Sequence, residues 1–347
     1  MATAGIDALV VSVGSDLPYL TGYTAIANER LTMAVVRDDL VALFVPRLEE
    51  PRVERRGDDV EVIPWDETDD PLDLIVSRLN GADTVAVGAQ TWARFVLGLQ
   101  DKLRRGRFVD ATRLMSGLRV VKDPLELEML ARAATAADRV AHRLGDVQFS
   151  GRTERSLSHF IARETVAEGH DTANFAIVAS GPNAASPHHE PGNRVIARGD
   201  SVVVDFGGSV SGYGSDISRT FHVGEPPAEV AAAYDVLHAA QEAGVEAARA
   251  GVPAESVDAA ARSVIERGGF GAHFIHRTGH GIGLDGHEDP YLVEGNATPL
   301  EVGMAFSVEP GIYVSGRFGM RIEDIVVLGA GGAQRLNLAD RDLVVVS

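Results

Sequence analysis

Two aspartates, Asp205 and Asp216, lie in the segment VVVDFGGSVSGYGSDISRTF, residues 202–221. Asp205 reads as the end of an apolar strand. Asp216 reads as the entry to the next, after a turn rich in glycine. In an antiparallel hairpin the two carboxylates can reach one face. Like charges side by side are costly unless one is protonated or a cation sits between them. Taken alone, the pair is equally well two solvated turn residues. The glycines do not form a phosphate-binding loop, because no GxxxxGK[ST] is present.

A second segment, HFIHRTGHGIGLDGHE over residues 273–288, holds four of the chain's 11 histidines. Its glycines predict a loop in which imidazoles converge on a ligand or metal, rather than a zinc-binding helix. Two further carboxylates interrupt apolar strands, Glu309 in FSVEPGIYV and Glu323 in GMRIEDIVV. Each is bland by itself. Together, four carboxylates and an imidazole are a hard, oxygen-rich donor set that suits two divalent ions about 3.5–4 Å apart. Two cations would explain how the carboxylates could crowd. A water between them would lose its proton near neutral pH and serve as nucleophile, with no Ser, Cys or Thr required.

The elements that must position these residues are legible in outline. Apolar runs predict strands at Ala8–Val13, Thr32–Val36, Val41–Val45 and Thr84–Val87, with a hairpin turn at Asp38-Asp39. Pro71–Leu79 and Thr91–Leu103 are amphipathic and predict helices. Strand-like residues begin by Ile6, an abrupt start. A boundary is expected near residues 110–122. Asp123, Pro124 and Glu126 then form a helix-start signal, and Thr153 caps a second helix running towards Ala167. Strands follow at Phe175–Ala179, Ser201–Phe206 and Ser218–Val223. The same order recurs, with helices from Ala228 to Ala248 and Pro253 to Arg267, then strands at Met304–Val308, Ile312–Val314 and Ile322–Leu328. The two halves share architecture and little identity.

Composition narrows the function. The chain has 347 residues, with 32 Lys+Arg against 50 Asp+Glu and a formal charge of −18. That acidity disfavours nucleic acid as a partner. With no cysteine, disulfides, thiol nucleophiles and thiolate metal sites are excluded. No apolar run is long enough for a transmembrane helix, so no membrane role is expected. The first ten residues lack a basic stretch, and Asp7 interrupts their apolar run. This does not read as a signal peptide, and the expected compartment is the cytoplasm.

At these motifs the sequence resembles the pita-bread metallopeptidases, the group of methionine aminopeptidase, prolidase and aminopeptidase P. VDFGGSVSGYGSDISRTF, HRTGHGIGLDGHE, SVEPGIY and MRIED match the family's motifs in order. The N-terminal third, with DALVVSVGSDLPYLTGY, resembles the creatinase/prolidase N-terminal domain. The resemblance implies an α/β (α+β) chain in two domains. Residues 1–115 would be the creatinase-like unit. Residues 120–347 would be a pita-bread domain with pseudo-twofold helix-helix-strand halves.

Carried over residue by residue, the resemblance implies that Asp205 binds a first metal. Asp216 and Glu323 bridge both metals, and His280 and Glu309 bind the second. His188, in SGPNAASPHHEPG, would approach the scissile bond, and His287 would stabilise the tetrahedral intermediate or its oxyanion. His276 matches a substrate-site histidine of the proline-specific members. Arg321 would orient a metal-binding carboxylate. Glu309 would also shuttle a proton from nucleophile to leaving amine. His189, His273 and His222 match no family role and read as structural or exposed.

The creatinase-type domain and His276 favour the Xaa-Pro branch, so the implied substrates are small peptides with proline second. Proline's tertiary amide and fixed φ make such bonds poor substrates for general proteases. Prolidases usually carry an arginine shortly after the HE pair to hold a dipeptide's carboxylate. Here the residues are Asp289, Pro290 and Tyr291, which leaves aminopeptidase-P-like cleavage of longer peptides open beside dipeptidase activity. Manganese is the first expectation for the two ions, with Co, Zn or Fe as alternatives, and a homodimer is implied. The rival readings are a non-catalytic pita-bread binding module and a hydrolase of a non-proline amide.

Overall fold

The computed structural model describes residues 1–53, 59–79 and 81–347. Its contacts divide the chain into two units, Met1–Leu118 and Arg119–Ser347. No helix among the described residues is long and apolar enough to cross a membrane.

The first unit is a six-stranded mixed sheet covered on both faces. Strand Ala8–Ser12 pairs antiparallel with Met33–Arg37 and parallel with Thr84–Val87. Leu40–Pro46 and Glu61–Trp65 extend one edge, and Arg107–Asp110 extends the other. The hairpin predicted at Asp38-Asp39 closes with Arg37 opposite Leu40. Alternation along the strands decides the two layers. Val10, Phe44 and Val85 pack with Ile75, Leu79 and Leu99 of helices Pro71–Leu79 and Ala93–Lys102. Leu9, Val11 and Leu43 face the other way, towards Leu17 and Met115. The division between the units falls within the stretch 110–122 expected as a boundary, which also carries helix Thr112–Arg119.

The second unit repeats helix, helix, strands. Pro124–Leu144 and Glu154–Ala167 precede the strands Thr172–Ser180, Ser201–Val210 and Ile217–Val223. Ala228–Ala247 and Glu255–Arg267 precede Gly279–Gly281, Ala305–Val308 and Asp324–Gly329. In the first half, Val140, Leu157 and Ile161 of the helices bury against Val204, Phe206 and Phe221 of the sheet. In the second half, Leu237 and Ile265 bury against Ile312, Met320 and Ile322. The two sheets meet where Ser218 bridges Glu323, with the Glu323 N–H donating to the Ser218 carbonyl at 3.1 Å.

The long helix Pro124–Leu144 begins as the sequence signals. Asp123 accepts from the N–H groups of Leu125 and Glu126 at 2.8 and 2.9 Å, and Glu126 accepts back from Asp123 N at 2.8 Å. Glu126 has a second task that the helix signal does not reveal. Its other oxygen accepts from the Tyr213 hydroxyl at 2.9 Å, which ties the helix start to the turn before Asp216. We expect Asp123→Ala to lower stability by about 1 kcal/mol, since both capping bonds are lost. Thermal unfolding checks this, and an unchanged midpoint would show the cap to be redundant.

Candidate metal centre

The four carboxylates and His280 reach one place from four different backbone segments. Asp205 lies in the middle of Ser201–Val210, opposite Ile177 on one side and Ser218 on the other. The expectation that Asp205 ends its strand is corrected, because pairing with Thr172–Ser180 carries the strand through Gly207 and Gly208 to Val210. A Cβ at Gly207 would lie 2.1 Å from the Ser215 carbonyl, so only glycine lets the turn fold back. Asp216 stands just before Ile217–Val223. Glu323 sits at the inter-sheet bridge. The predicted strand Ile322–Leu328 therefore starts only after the bridge, as Asp324–Gly329, and a separate strand, Phe318–Arg321, pairs with a different partner before it.

His280 also departs from expectation. The histidine segment is a loop except at Gly279–Gly281, which forms a three-residue strand. A Cβ at Gly279 would lie 2.0 Å from Ser307 O, and one at Gly281 would lie 2.1 Å from Asp289 O. The flanking glycines thus let the backbone press close enough for His280 N to donate to Ser307 Oγ at 3.0 Å. The ring Nδ1–H donates to Gly281 O at 3.0 Å, which leaves the Nε2 lone pair directed inward. That nitrogen is 3.5 Å from Glu309 Oε1 and 3.7 Å from Asp216 Oδ2. Burial and the neighbouring His287 push His280 down to about 3, so its imidazole is neutral at physiological pH.

The electrostatics call for cations. Asp205, Asp216 and Glu323 are all nearly inaccessible to solvent. Burial and then the Asp205 and Glu309 charges raise Asp216 well above the usual carboxylate range. Burial and then Asp216 do the same to Glu323. Burial pushes Glu309 up to about 7 despite Arg321 nearby. Asp205 Oδ1, Asp216 Oδ1 and Glu323 Oε1 are buried without a hydrogen-bond partner. Such groups are rare unless something outside the protein meets them. Ligand atoms of Asp205, Asp216 and Glu323 converge within 4.8 Å, as do those of His280, Glu309 and Glu323. The two groups share Glu323. A pair of divalent cations fits this donor set and would neutralise it.

Buried hydrogen bonds fix the carboxylates. Arg321 Nη2 donates to Asp205 Oδ2 at 2.5 Å, and its Nε donates to Ser218 Oγ at 2.8 Å. Ser218 Oγ donates in turn to Glu323 Oε2 at 2.9 Å. Asp324, the next residue, points away and takes Arg219 Nη2 at 2.7 Å. Arg219 Nη1 also donates to the carbonyls of Ser218 and Glu323, clamping the bridge from behind.

All nine residues singled out in the sequence line a single cavity of about 730 Å³. Five are the carboxylates and His280. Arg321 is buried, His276 is half-buried against Tyr313, and His188 and His287 are exposed. His276 Nδ1 donates to Arg277 O at 2.7 Å, so its Nε2 accepts from the Tyr313 hydroxyl at 2.9 Å. Tyr313 also accepts from Arg321 Nη1 at 3.1 Å. Burial and the Arg321 charge push His276 down to about 4. His287 Nδ1 accepts from Arg277 Nη2 at 3.3 Å, which places its own proton on Nε2. Burial and the Arg277 cation hold His287 below its ordinary value.

Several contributors were missed in the sequence. Tyr313 lies inside the quoted motif, but nothing local marks its hydroxyl as the partner of His276. Arg277 lines the cavity as well. His189, read as structural or exposed, pairs through Nε2 with Glu154 Oε2 at 2.8 Å. Glu154 is fully buried and also accepts from Ser180 N, Ser180 Oγ and Asn183 Nδ2 at 2.9, 2.7 and 3.0 Å. Burial alone would raise this carboxyl, but those donors hold it low. Glu154 therefore anchors the segment that presents His188. His222 is buried, with Nδ1 bonded to Gly224 O at 2.6 Å. His273 packs beside Phe270.

The chain belongs to metallopeptidase family M24, whose model matches residues 128–330, and the creatinase/prolidase N-terminal domain model matches residues 1–121. It is thus a metallopeptidase by family, with the pita-bread fold expected from the sequence and a family requirement for divalent metal. The probable dipeptidase PepE of Mycobacterium tuberculosis is 45% identical over 352 residues, spanning 99% of this chain and 93% of that protein. The Xaa-Pro dipeptidase of Lactobacillus helveticus is 35% identical, over 98% of this chain and 95% of that protein. The crystal structure of recombinant prolidase from Thermococcus sibiricus has a TM-score of 0.94 at 37% identity, covering 99% of this chain and 96% of that one.

We expect Glu154→Gln to keep the bound-metal content while lowering kcat about tenfold, because the His188 segment loosens and the metal-facing carboxylates do not. Elemental analysis beside steady-state kinetics checks this, and parallel loss of metal and activity would contradict it.

Proposed function

We propose that this protein is a dinuclear-metal Xaa-Pro dipeptidase. The observation that carries the reading is the convergence of three unpartnered, buried carboxylate oxygens with the inward lone pair of His280 in one accessible cavity. Asp205 would hold one ion, and His280 with Glu309 the other, with Asp216 and Glu323 shared. Four carboxylates with one imidazole admit Mn, Co, Zn or Fe, with manganese the first expectation and availability deciding among them. When bound, the ions supply Lewis acidity at the scissile carbonyl and a water acidic enough to attack near neutral pH.

The side chains supply the rest. Glu309 lines the cavity beside His280 Nε2, at 3.5 Å, where it would take the proton of the attacking water and return it to the departing nitrogen. His287 presents Nε2–H to the oxygen that becomes negative in the transition state. His188 stands at the opening, where it meets the residue before proline. The run from His276 through Tyr313 and Arg321 to Asp205 holds the cavity wall rigid. Choice of the Xaa-Pro bond rests on the names of the relatives and on His276. The same reading takes residues 1–115 and 120–347 as two domains and a homodimer as the working form, which light scattering tests.

Asp216→Asn is expected to lose metal and activity together. A variant with full activity and two metals per chain would overturn the ligand assignment. His287→Ala is expected to keep its metal and lose about 100-fold or more in kcat, on the scale of one oxyanion donor. Hydrolysis of Ala-Pro and Ala-Pro-Ala by chelator-stripped protein, with and without added Mn²⁺, tests the whole reading. Metal-dependent cleavage that prefers Ala-Pro is the expected result. Preference for the tripeptide would make the protein an aminopeptidase, and cleavage of neither would refute the reading.

A further inference from the structure

Two guanidinium groups line the cavity, and they differ in what they face. Arg321 is buried and committed to Asp205, Ser218 and Tyr313. Arg277 is half-buried, and among the described residues no carboxylate lies within ion-pair distance of it. Its one side-chain hydrogen bond runs from Nη2 to His287 Nδ1 at 3.3 Å. Its Cζ stands 4.4 Å from the centre of the Tyr291 ring, so the cation lies over the ring face, with donors beyond the one given to His287.

The backbone beneath Arg277 is fixed on both sides. Arg262 Nη2 donates to His276 O at 2.8 Å, and His276 Nδ1 donates to Arg277 O at 2.7 Å. Thr278 N donates to the buried Asp258 at 3.0 Å. Arg277 thus makes no close ion pair, although its charge reaches Glu309, and it is held beside the proposed oxyanion donor. Cations so placed in a pocket match carboxylates through two parallel hydrogen bonds. The position after the HE pair, where an arginine would hold a dipeptide's terminus, carries Tyr291.

We propose that Arg277 binds the C-terminal carboxylate of the substrate, with Tyr291 as the surface on which its guanidinium lies, and so limits the substrate to dipeptides. This rests on the peptidase reading above. In a longer peptide each added residue moves the terminal carboxylate up to about 3.3–3.6 Å further along the chain, out of the reach of one fixed guanidinium. Arg277 comes from the segment before His280, whereas the replaced arginine would come from the segment after His287. The tyrosine is then part of the device, since its ring takes the face of the cation.

The test compares Ala-Pro with Ala-Pro-amide, and Ala-Leu with Ala-Leu-amide, using the metal-loaded wild type, Arg277→Ala and Arg277→Lys. For whichever pair the wild type cleaves, Arg277→Ala should raise KM for the free acid about 10- to 100-fold, the range of a charge-assisted bidentate contact. KM for the amide and the bound-metal content should stay within about twofold. Arg277→Lys should recover part of the loss. As a readout apart from turnover, free proline should inhibit the wild type better than prolinamide, and the Arg277→Ala variant should not distinguish them. Because Arg277 also bonds His287, kcat falls on both substrates and KM decides: equal rises in KM for acid and amide, or an unchanged KM for the acid, would overturn the assignment. Cleavage of Ala-Leu without Ala-Pro would sink the proline reading while the Ala-Leu pair still judges Arg277. Cleavage of no peptide would overturn both.

Discussion

Mutual repulsion among Asp205, Asp216, Glu309 and Glu323 is the constraint around which the catalytic unit is organised. Four carboxylates with so little solvent cannot all be ionised unless positive charge is brought among them. Arg321 supplies one fixed cation, through Asp205. The remaining excess appears as raised proton affinity at Asp216, Glu309 and Glu323 and as carboxylate oxygens that nothing in the protein meets. A protein shaped only for stability would replace such groups with apolar ones. Keeping them makes sense as a site for divalent ions.

Holding the cluster requires anchors on the far side of each segment, and these are also charged and buried. Asp324 beside Glu323 takes Arg219 and Arg335. Glu288 beside His287 takes Arg119 and Lys122 at 2.5 Å each. Asp258 takes Arg262 and the N–H of Thr278, the residue directly after the His276–Arg277 pair. Glu154 gathers Ser180, Asn183 and His189 behind His188. Removing one partner of such a pair strands the other in a poor solvent, which typically costs about 3–5 kcal/mol. Each functional side chain is therefore placed by a neighbour whose own charge is already satisfied.

Much of this was legible beforehand because it is local. The Asp123 cap, the hairpin at Asp38-Asp39 and the repeated helix pairs depend on residues a few positions apart. What failed depends on partners far along the chain. Ser201–Val210 passes through two glycines that read as a turn, because Thr172–Ser180 supplies the pairing that glycine does not encourage. Gly279–Gly281 becomes a strand because Ala305–Val308 and Glu288–Leu292 lie on either side of it. Glu323 breaks an apolar run because the bridge to Ser218 takes its N–H.

Donor types, their order and the motif glycines are readable from the residues alone, since metal affinity and backbone freedom belong to individual residues. So is the helix-helix-strand repeat, since periodicity and capping are short-range. Only the tertiary structure decided which oxygens are left without a partner, which nitrogen of His280 faces inward and why His189 is tied to Glu154. It alone set Arg277 over Tyr291 and beside His287. Those outcomes depend on distance and burial between segments up to a hundred residues and more apart, as Ser218 and Glu323 are (|i−j| = 105). Charge in a low-dielectric interior is governed by what surrounds it, and no stretch of sequence carries its own surroundings.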